Sequence, residues 1–403
     1  MTEISSFLVC LHSRYCIQHS RFTRQDGWRL YDLSLSLNGN IAVTGGNEKT
    51  HRTYIDVYTN VRYSDSRDKR KIIYSKEFEK HTSDEWEYRG RKVSFYHGSD
   101  TTILSGLGGK LVVIDLIQGR IIRYRDIKLV NHGGIRCLSV RETEIFIGFY
   151  QSNKITVYDV IDLNEIKSII LQGIQDGYWP YDMTAIADRI FVCAGDGKGE
   201  NNYKSLIFEE KNGRILSELT KPTDTVKWYV NSVGVNMNTL GIAGVVWNNS
   251  IYYKEGEYNT VVFYSLLSEN NCSFLIVEVE YGVDRIRISD KGDKMITGDQ
   301  RTGEVKVYDM SEVFTYSHFK KKLASTLRTD ECAKLANFFN THKGQADAIL
   351  RSDTPSKNLF LELEEKGILQ PHDVERLIKA LGELTVNPLC CHVAEIFLKT
   401  RCK

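Results

Sequence analysis

Few residues in this sequence combine the type and the spacing that catalysis requires. The segment SGLGGKLVV (105–113) has the glycines and the lysine of a phosphate-binding loop. It lacks the Gly-x4-Gly-Lys-Ser/Thr spacing, and Leu111 follows the lysine where a hydroxyl would be needed. We therefore interpret it as a glycine-rich hairpin between two strands.

The spacing of potential metal ligands is equally weak. The segment GDGKGENN (195–202) contains Asp196 and Glu200, but not the regular acid spacing of a calcium loop. The ten histidines include no H-x-x-x-H or H-E-x-x-H pair. We expect a solvated hairpin tip at 195–202, no bound metal and no cofactor.

The overall composition excludes further classes of function. The chain has 403 residues, of which 26% are charged, and its formal net charge is +1. A nearly neutral chain has no general electrostatic attraction to nucleic acid or to a membrane surface. No run approaches the roughly 20 apolar residues of a membrane span. We therefore expect no nucleic acid and no membrane among its partners.

The cysteines favour a reducing compartment. There are nine of them, scattered along the chain without a C-x-x-C motif. The first residues, MTEISSFLVCLHSR, have an acid near the start and no basic segment, unlike a signal peptide. Reduced thiols and a cytoplasmic location are the expectation.

The elements that must position any site follow from a repeat in the first 310 residues. Each copy has an alternating strand, a Gly/Asp/Asn turn, a second strand, a polar turn and a third strand, as in DRIRISDKGDKMITGDQRTGEVKVYDM (284–310). First strands begin near residues 31, 93, 135, 181, 228 and 284. A repeat of roughly 40–50 residues with four short strands is typical of a β-propeller blade. The pattern predicts six blades, or seven if residues 5–30 form one.

The third strands of two copies carry a family resemblance. KITVYDV (154–160) and EVKVYDM (304–310) resemble the third strand of WD repeats, with Tyr where the family usually has Trp. The family's Gly-His dipeptide is absent from every copy, so the resemblance implies a divergent WD-like propeller. The last copy lacks a fourth strand, and SRYCIQHSRF (13–22) is expected to supply it, because an open blade leaves backbone groups unpaired.

Two functions remain open for the propeller. Aromatic residues in DGYWPYD (176–182) are expected either to line a recognition surface for an unknown protein or peptide, or to pack between blades. An enzyme using the central pocket would need acids, histidines or metal ligands from several blades. Asp284 and His132 are conceivable members, but nothing in their spacing selects them. A non-enzymatic protein is the favoured hypothesis.

From Tyr316 onward the hydrophobic period changes from 2 to 3.6 residues. We therefore divide the chain into a propeller at 1–313 and an all-α module at 314–403. Phe319, Leu323 and Leu327 continue one stripe of a first helix that begins with Tyr316. Thr329 is the expected N-cap of the second helix.

Proline and glycine mark the remaining helices. A short third helix is expected at 345–350. Pro355 opens the fourth, with Leu359, Phe360 and Leu363 as its buried positions, and Gly367 ends it. Pro371 opens the fifth, and Asn387-Pro388 opens the sixth. Six short helices in about 90 residues predict a compact bundle.

The segment NLFLELEEKGILQPHDVERLIKALGEL (358–384) resembles the fourth and fifth helices of death effector domains. The resemblance extends over about 314–400 and implies the six-helix death fold. The family's Arg-x-Asp-Leu motif falls on 386–389, where only Leu389 is kept. Its exposed Phe-Leu pair falls on Asn337 and Phe338.

The resemblance implies an adaptor in apoptosis or related death-domain signalling. Residues 314–403 would then bind death-fold proteins, such as an adaptor or the prodomain of an initiator caspase, and the propeller would bind another partner. The interaction face implied for the module comprises Glu331, Asn337, Phe338, Arg376 and Lys379. The alternative is a purely structural helical cap on the propeller.

Overall fold

The computed structural model describes most of the chain. The described residues are 8–10, 18–22, 28–47, 52–59, 72–78, 91–96, 99–107, 109–127, 134–150, 152–174, 179–195, 203–221, 229–237, 239–248, 259–266, 273–279, 283–310, 319–320, 323–324, 327–339, 341, 343–352, 354–369, 374–384, 386, 390–391, 393–395 and 397.

The strands form six sheets, each arranged as one blade. Two N-terminal strands come first, β1 (Leu8–Cys10) and β2 (Gln18–Phe22). Blade one contains β3 (Trp28–Leu35), β4 (Ile41–Asn47), β5 (Arg52–Tyr58) and β6 (Ile72–Phe78). Blade two contains β7 (Arg91–Phe95), β8 (Thr102–Leu107), β9 (Lys110–Asp115) and β10 (Arg120–Asp126). Blade three contains β11 (Ile135–Arg141), β12 (Glu144–Phe149), β13 (Lys154–Asp159) and β14 (Glu165–Ile170).

The other three blades follow the same antiparallel order. Blade four contains β15 (Trp179–Ile186), β16 (Arg189–Gly195), β17 (Lys204–Glu209) and β18 (Ile215–Leu219). Blade five contains β19 (Tyr229–Asn236), β20 (Ile242–Asn248), β21 (Asn259–Ser265) and β22 (Ser273–Val279). Blade six contains β23 (Arg285–Ile288), β24 (Lys294–Gly298) and β25 (Val305–Asp309).

The N-terminal strands decide the number of blades. β2 pairs antiparallel with β25 and supplies the fourth strand of blade six, as the sequence predicted. β1 pairs parallel with β22 at the outer edge of blade five. The six-bladed prediction is confirmed, and the seven-bladed alternative is wrong because these strands join existing sheets. The pairing of β2 removes the open edge of the last blade.

Burial within the blades explains their hydrophobic pattern. Every residue of β20 is buried, whereas β10 has no buried residue. A middle strand is covered on both faces by the neighbouring blades, while the outermost strand lies at the circumference. The hairpin predicted at 105–113 is confirmed, since β8 and β9 pair antiparallel there.

The described part of the C-terminal region is helical. It contains α1 (Thr329–Phe338), α2 (Lys343–Leu350), α3 (Pro355–Glu365) and α4 (Glu375–Glu383). Residues 319–320, 323–324, 390–391, 393–395 and 397 are also helical. Four helices of eight or more residues are therefore established among the described residues, and a six-helix death fold is not. Tyr316, Pro371 and Asn387-Pro388 lie outside the described residues.

The start of α1 corrects the predicted cap. The N-cap is Arg328, in an extended conformation, and Thr329 is the first helical residue. The Glu331 carboxylate accepts a hydrogen bond of 2.9 Å from the Arg328 backbone N–H. Glu331 is the third residue of the helix, and its carboxylate satisfies the backbone N–H that would otherwise be free at the helix start. A threonine cap is therefore not required.

The predictions for α3 are confirmed at both ends. Pro355 is its first residue. Gly367 follows its end with φ +66°, and its N–H donates to the Glu364 carbonyl at 2.9 Å. Leu359, Phe360 and Leu363 are buried, as predicted.

One continuous cluster of buried side chains joins the propeller to the helices. It includes Leu240 and Ile286 in blades five and six and extends through Met310 to Phe319 and Leu323. The Phe319 ring stacks on Phe397 with centroids 4.5 Å apart. The predicted boundary at 313–314 lies outside the described residues.

Candidate interaction site in the propeller channel

The innermost strands place a ring of side chains around the propeller channel. In four of them a β-bulge skips one residue of the pairing, namely Tyr31, Arg136, Tyr181 and Asn231. The residues that follow these bulges are Asp32, Cys137, Asp182 and Ser232. The other two innermost strands, β7 and β23, have Lys92 and Arg285 at the equivalent positions. These residues pair with Gly106 and Gly298 of the neighbouring strands. We call these six residues, Asp32, Lys92, Cys137, Asp182, Ser232 and Arg285, the inner ring.

Three members of the inner ring tie their blade to the next one. Asp32 accepts from the Val93 N–H at 3.2 Å, and Asp182 accepts from the Val233 N–H at 3.3 Å. The Ser232 hydroxyl accepts from the backbone N–H of Ile286 at 3.2 Å. Innermost strands have one free edge, so these side chains provide acceptors that the sheet does not.

Arg287 connects distant blades across the channel. Its guanidinium lies 3.1 Å from Asp32 Oδ1 and donates to both Asp182 oxygens, at 2.7 and 3.0 Å. Burial by itself would raise the pKa of Asp182, but the positive charges of Arg287 and Lys92 outweigh it and hold that pKa below its usual value. The two carboxylates are completely buried. The bridge is therefore a desolvated ion-pair network.

Lys92 has a different environment from the acids. Its Nζ atom is buried, lies 3.9 Å from Asp32 Oδ1, and has no hydrogen-bond partner among the described residues. Burial lowers the pKa of Lys92 to about 8, against the opposing effect of Asp32. The lysine is thus a buried cation that the protein satisfies only in part.

Arg136 extends the positive charge toward the rim. Its Nε atom is inaccessible to solvent and has no partner among the described residues. Its Cζ lies 5.0 Å from the ring centroid of Tyr181 and 6.0 Å from that of Tyr150. Burial, together with the positive charge of Arg285, lowers the pKa of Arg136. The aromatic faces hold the guanidinium by cation–π attraction.

Tyrosines gather on the face of the ring where the innermost strands begin, which we call the channel face. Tyr181 and Tyr203 have ring centroids 5.6 Å apart, and Tyr203 and Tyr229 are 4.7 Å apart. Tyr150, Tyr181 and Tyr203 are partly exposed. We call Tyr150, Tyr181, Tyr203 and Tyr229 the tyrosine cluster. Tyr181 belongs to the predicted aromatic segment 176–182, of which 176–178 lie outside the described residues.

Of the residues considered for a catalytic pocket, Asp284 lies in the described part of the chain. Asp284 is buried and accepts from Asn231 Nδ2 at 3.1 Å and from the Gln300 N–H at 2.9 Å. His132, Asp196 and Glu200 lie outside the described residues. Within the described part of the chain, no three His, Cys, Asp or Glu residues are grouped closely enough to hold a metal ion.

The five residues predicted for the helical interaction face do not share one environment. Asn337, Phe338, Arg376 and Lys379 are exposed. Glu331 is only 1% exposed and is engaged at the start of α1, because its side chain caps the helix and faces the interior. The binding role of this set stays a prediction.

Sequence reasoning missed the inner ring and Arg287. A signal was present in the first strand of four repeats, where a charged residue recurs at one position. The dipeptide YD stands there at 31–32 and 181–182, RK at 91–92 and DR at 284–285. The residues are far apart in sequence, so only the closed ring shows that they meet.

Of the comparisons with known proteins, only the search of solved structures found matches. No protein-family model and no curated protein matches this sequence. Among solved structures, the RRP9 WD40 repeats superpose with a TM-score of 0.51 at 9% identity, covering 73% of this chain and 99% of that one. The Mitotic Checkpoint Complex (TM-score 0.46, 13% identity, 76% and 99% coverage) and Kuenenia stuttgartiensis hydrazine synthase (0.47, 12%, 72% and 78%) match more weakly and carry no argument.

The fold and the first of these neighbours define the class. The chain contains a WD40-like six-bladed β-propeller, closed by an N-terminal strand and followed by helices. None of the helices in its described residues has the length and apolar character to cross a membrane.

Proposed function

We propose that this protein is a non-enzymatic scaffold that binds a protein partner through the channel face of its propeller. The observation that carries the proposal is the tyrosine cluster, which spans blades three, four and five. Tyrosine is enriched in protein interfaces because it offers a large rigid apolar surface and a polar hydroxyl.

The platform beneath the cluster supports the same interpretation. The carboxylates of Asp32 and Asp182 are engaged with Arg287 and with backbone N–H groups of neighbouring blades. These contacts make a rigid support for side chains on the channel face. Rigid elements bind with a smaller loss of conformational entropy than mobile loops.

A paired-variant affinity experiment tests the channel face. The full-length protein and a Tyr181→Ala/Tyr203→Ala variant are crosslinked in cells and purified under identical conditions. Tyr124→Ala is the matched control, since Tyr124 is 63% exposed on the outer strand β10. We expect at least one partner to be lost from the double variant and retained by Tyr124→Ala. Equal recovery of all partners by the three proteins would refute this site.

The non-enzymatic and cytoplasmic parts of the proposal have separate tests. Cys137, Cys193, Cys332 and Cys390 are buried free thiols, which supports a reducing compartment. Metal analysis of the purified protein and a broad hydrolase screen should both be negative. A stoichiometric metal or a turnover that purifies with the chain would overturn the proposal of a non-enzyme, and fluorescence microscopy of a tagged chain tests location.

A narrower role for 314–403, as a death-effector-like module that binds an adaptor or an initiator-caspase prodomain, depends on the sequence resemblance. The exposure of Asn337, Phe338, Arg376 and Lys379 supports it. The continuous core through Met310 and Phe319 instead favours the structural cap. We therefore place this role second to the scaffold.

The two roles of the helices can be separated by binding assays with the full chain. Purified death-effector modules are titrated against the protein and against an Asn337→Asp/Phe338→Ala variant. Leu361→Ala is the control, since Leu361 is 48% exposed on α3. Binding that the double variant loses and the control retains supports the signalling role. Absence of binding to every module favours the cap.

A further inference from the structure

We propose that the propeller channel contains a binding site for a small monovalent carboxylate, bounded by Lys92, Arg136 and Arg285. The site is separate from the protein-binding role proposed above and does not depend on it. Three observations on the described residues carry it: two buried donors without a hydrogen-bond partner, nearby acids whose short hydrogen bonds go to other groups, and an excess of positive charge.

The first observation is the pair of donors. Lys92 Nζ and Arg136 Nε are both buried, and neither has a hydrogen-bond partner among the described residues. Lys92 and Arg136 lie on β7 and β11, innermost strands of adjacent blades that are in contact. A buried donor without an acceptor is unfavourable, and more so when it is charged. Two such donors on neighbouring strands indicate a ligand with acceptor oxygens.

The second observation is that the nearby acids are already engaged. Asp182 accepts from both Arg287 nitrogens and from the Ser232 hydroxyl. Asp32 accepts from Arg287 and from the Val93 N–H, and its contact with Lys92 is 3.9 Å. The short hydrogen bonds of these carboxylates thus go to other groups, and the contact between Asp32 and Lys92 Nζ is too long to be a hydrogen bond.

Arg285 adds a third cation to the same region. Its guanidinium donates to the carbonyls of Tyr31, Asn231 and Asp284, which are neutral acceptors, and lies 3.9 Å from Asp32. Its positive charge lowers the pKa of both Lys92 and Arg136. Arg285 therefore acts on both donors, and an anion between them would relieve this repulsion.

The balance of charge selects the ligand class. Among the described residues in this part of the channel, the cations are Lys92, Arg136, Arg285 and Arg287, and the acids are Asp32, Asp182 and Asp284. One negative charge is needed for neutrality, which favours a monoanion over a phosphate dianion. A carboxylate has two acceptor oxygens, so it can bind an ammonium and a guanidinium at once.

Acetate titration tests the site directly. Full-length protein is titrated with sodium acetate at pH 7 by isothermal calorimetry, and its thermal midpoint is followed from 1 to 100 mM acetate. We expect saturable binding and a midpoint increase of roughly 3–6 °C. Lys92→Met and Arg136→Met should each weaken binding at least tenfold.

Lys154→Met is the matched control, because Lys154 is an exposed residue at the start of β13 in the same propeller. It should bind acetate like the wild type, and it corrects the midpoint for ionic strength. No saturable heat in the wild type, or equal binding by Lys92→Met and wild type, would overturn the proposal. The wild-type titration decides the matter even if a channel variant fails to fold.

Two peptides distinguish the sources of the carboxylate. Acetyl-Gly-Asp-Gly-amide carries a side-chain carboxylate, and its Asn analogue does not. Binding of acetate with weaker binding of the Asp peptide identifies a free small carboxylate. Tighter binding of the Asp peptide than of acetate, lost in the Asn analogue, identifies an acidic side chain of a partner. The second outcome extends the channel-face proposal, whereas failure of that proposal leaves acetate binding unaffected.

Discussion

Arg287 is the side chain on which most of the channel network depends. It bridges Asp32 of blade one and Asp182 of blade four, which are 150 residues apart in sequence. A buried ion pair stabilises only when its geometry and its remaining hydrogen bonds are good, and its loss leaves an unpaired buried charge. At the residue scale, the channel is therefore sensitive to changes that conserve size but remove charge.

Replacing Asp182 by asparagine should destabilise the fold by about 3 kcal/mol, because it leaves the Arg287 guanidinium short of one negative partner in a buried position. Urea unfolding followed by tryptophan fluorescence measures the loss. Asp188→Asn is the control, since its side chain is 84% exposed in the same blade and should change stability by less than about 0.5 kcal/mol. Equal effects of the two variants would contradict the network.

Lys92 should make stability rise with pH on the alkaline side. Its pKa in the folded protein is lowered to about 8 by burial, whereas a lysine in an unfolded chain titrates near about 10.4. Between these values the unfolded chain binds one more proton than the folded chain, so the free energy of unfolding increases with pH, by up to about 3 kcal/mol. Below pH 8 this group adds no pH dependence.

The measurement compares wild type with Lys92→Met between pH 7.5 and 10.5, in buffers free of small carboxylates. The variant lacks the titrating group, so the difference between the two curves isolates it from tyrosines and cysteines. We expect the free energy of unfolding of the wild type to increase relative to that of the variant as pH rises. A constant difference would show that Lys92 titrates normally.

At the scale of single elements, the sequence correctly predicted helix ends that depend only on the backbone conformation of one residue. Pro355 begins α3 and Gly367 follows its end, because a fixed φ and a left-handed φ are local properties of these residues. The cap of α1 was predicted one residue too late. The Glu331 side chain supplies the capping contact from inside the helix by accepting from the Arg328 N–H, so the helix begins without a hydroxyl cap.

Two glycines of the helical module should respond to alanine with opposite signs. Gly367→Ala places a Cβ at φ +66° and should cost about 1 kcal/mol. Gly382→Ala adds a Cβ inside α4 that meets no described atom from outside its own helix turn within 4 Å, and should stabilise by about 0.5–1 kcal/mol. Chemical unfolding followed by circular dichroism at 222 nm measures both. A Gly367→Ala variant as stable as the wild type would contradict the assigned end of α3, and destabilisation by Gly382→Ala would contradict the open space at Gly382.

At the scale of the whole molecule, ring closure and the shared core act together. β2 closes blade six from the other end of the chain, and one buried cluster continues from blades five and six into the helices. Elements that share a core lose contacts together when either part opens. The propeller and the helices should therefore unfold as one unit.

Two optical signals test this coupling separately. All five tryptophans lie before residue 314, so their fluorescence reports on the propeller, whereas circular dichroism at 222 nm reports mainly on the helices. We expect coincident transitions in urea. Phe319→Ala removes the ring stacked on Phe397 and should shift both by about 3–5 kcal/mol, since it leaves a cavity in the shared core.

Leu361→Ala provides the comparison for Phe319→Ala, since Leu361 is 48% exposed and should move neither transition appreciably. A helical transition well below that of tryptophan fluorescence would mean that the module is independent of the propeller. That result would favour the hypothesis that residues 314–403 form a separate module that binds a partner.

The sequence by itself determined the repeat and indicated the closing strand, because strand periodicity, turn residues and an unfilled edge are visible along the chain. It left six and seven blades open, and the pairing of β1 and β2 decided for six. It also predicted the start of α3 and the glycine that follows it. Only the tertiary structure showed that charged side chains from different blades meet in the propeller channel. Asp32, Lys92, Asp182 and Arg287 come from four blades, and they meet because a closed ring turns every innermost strand toward one axis. The recurring dipeptides mark these positions along the chain, but they do not show that the side chains meet.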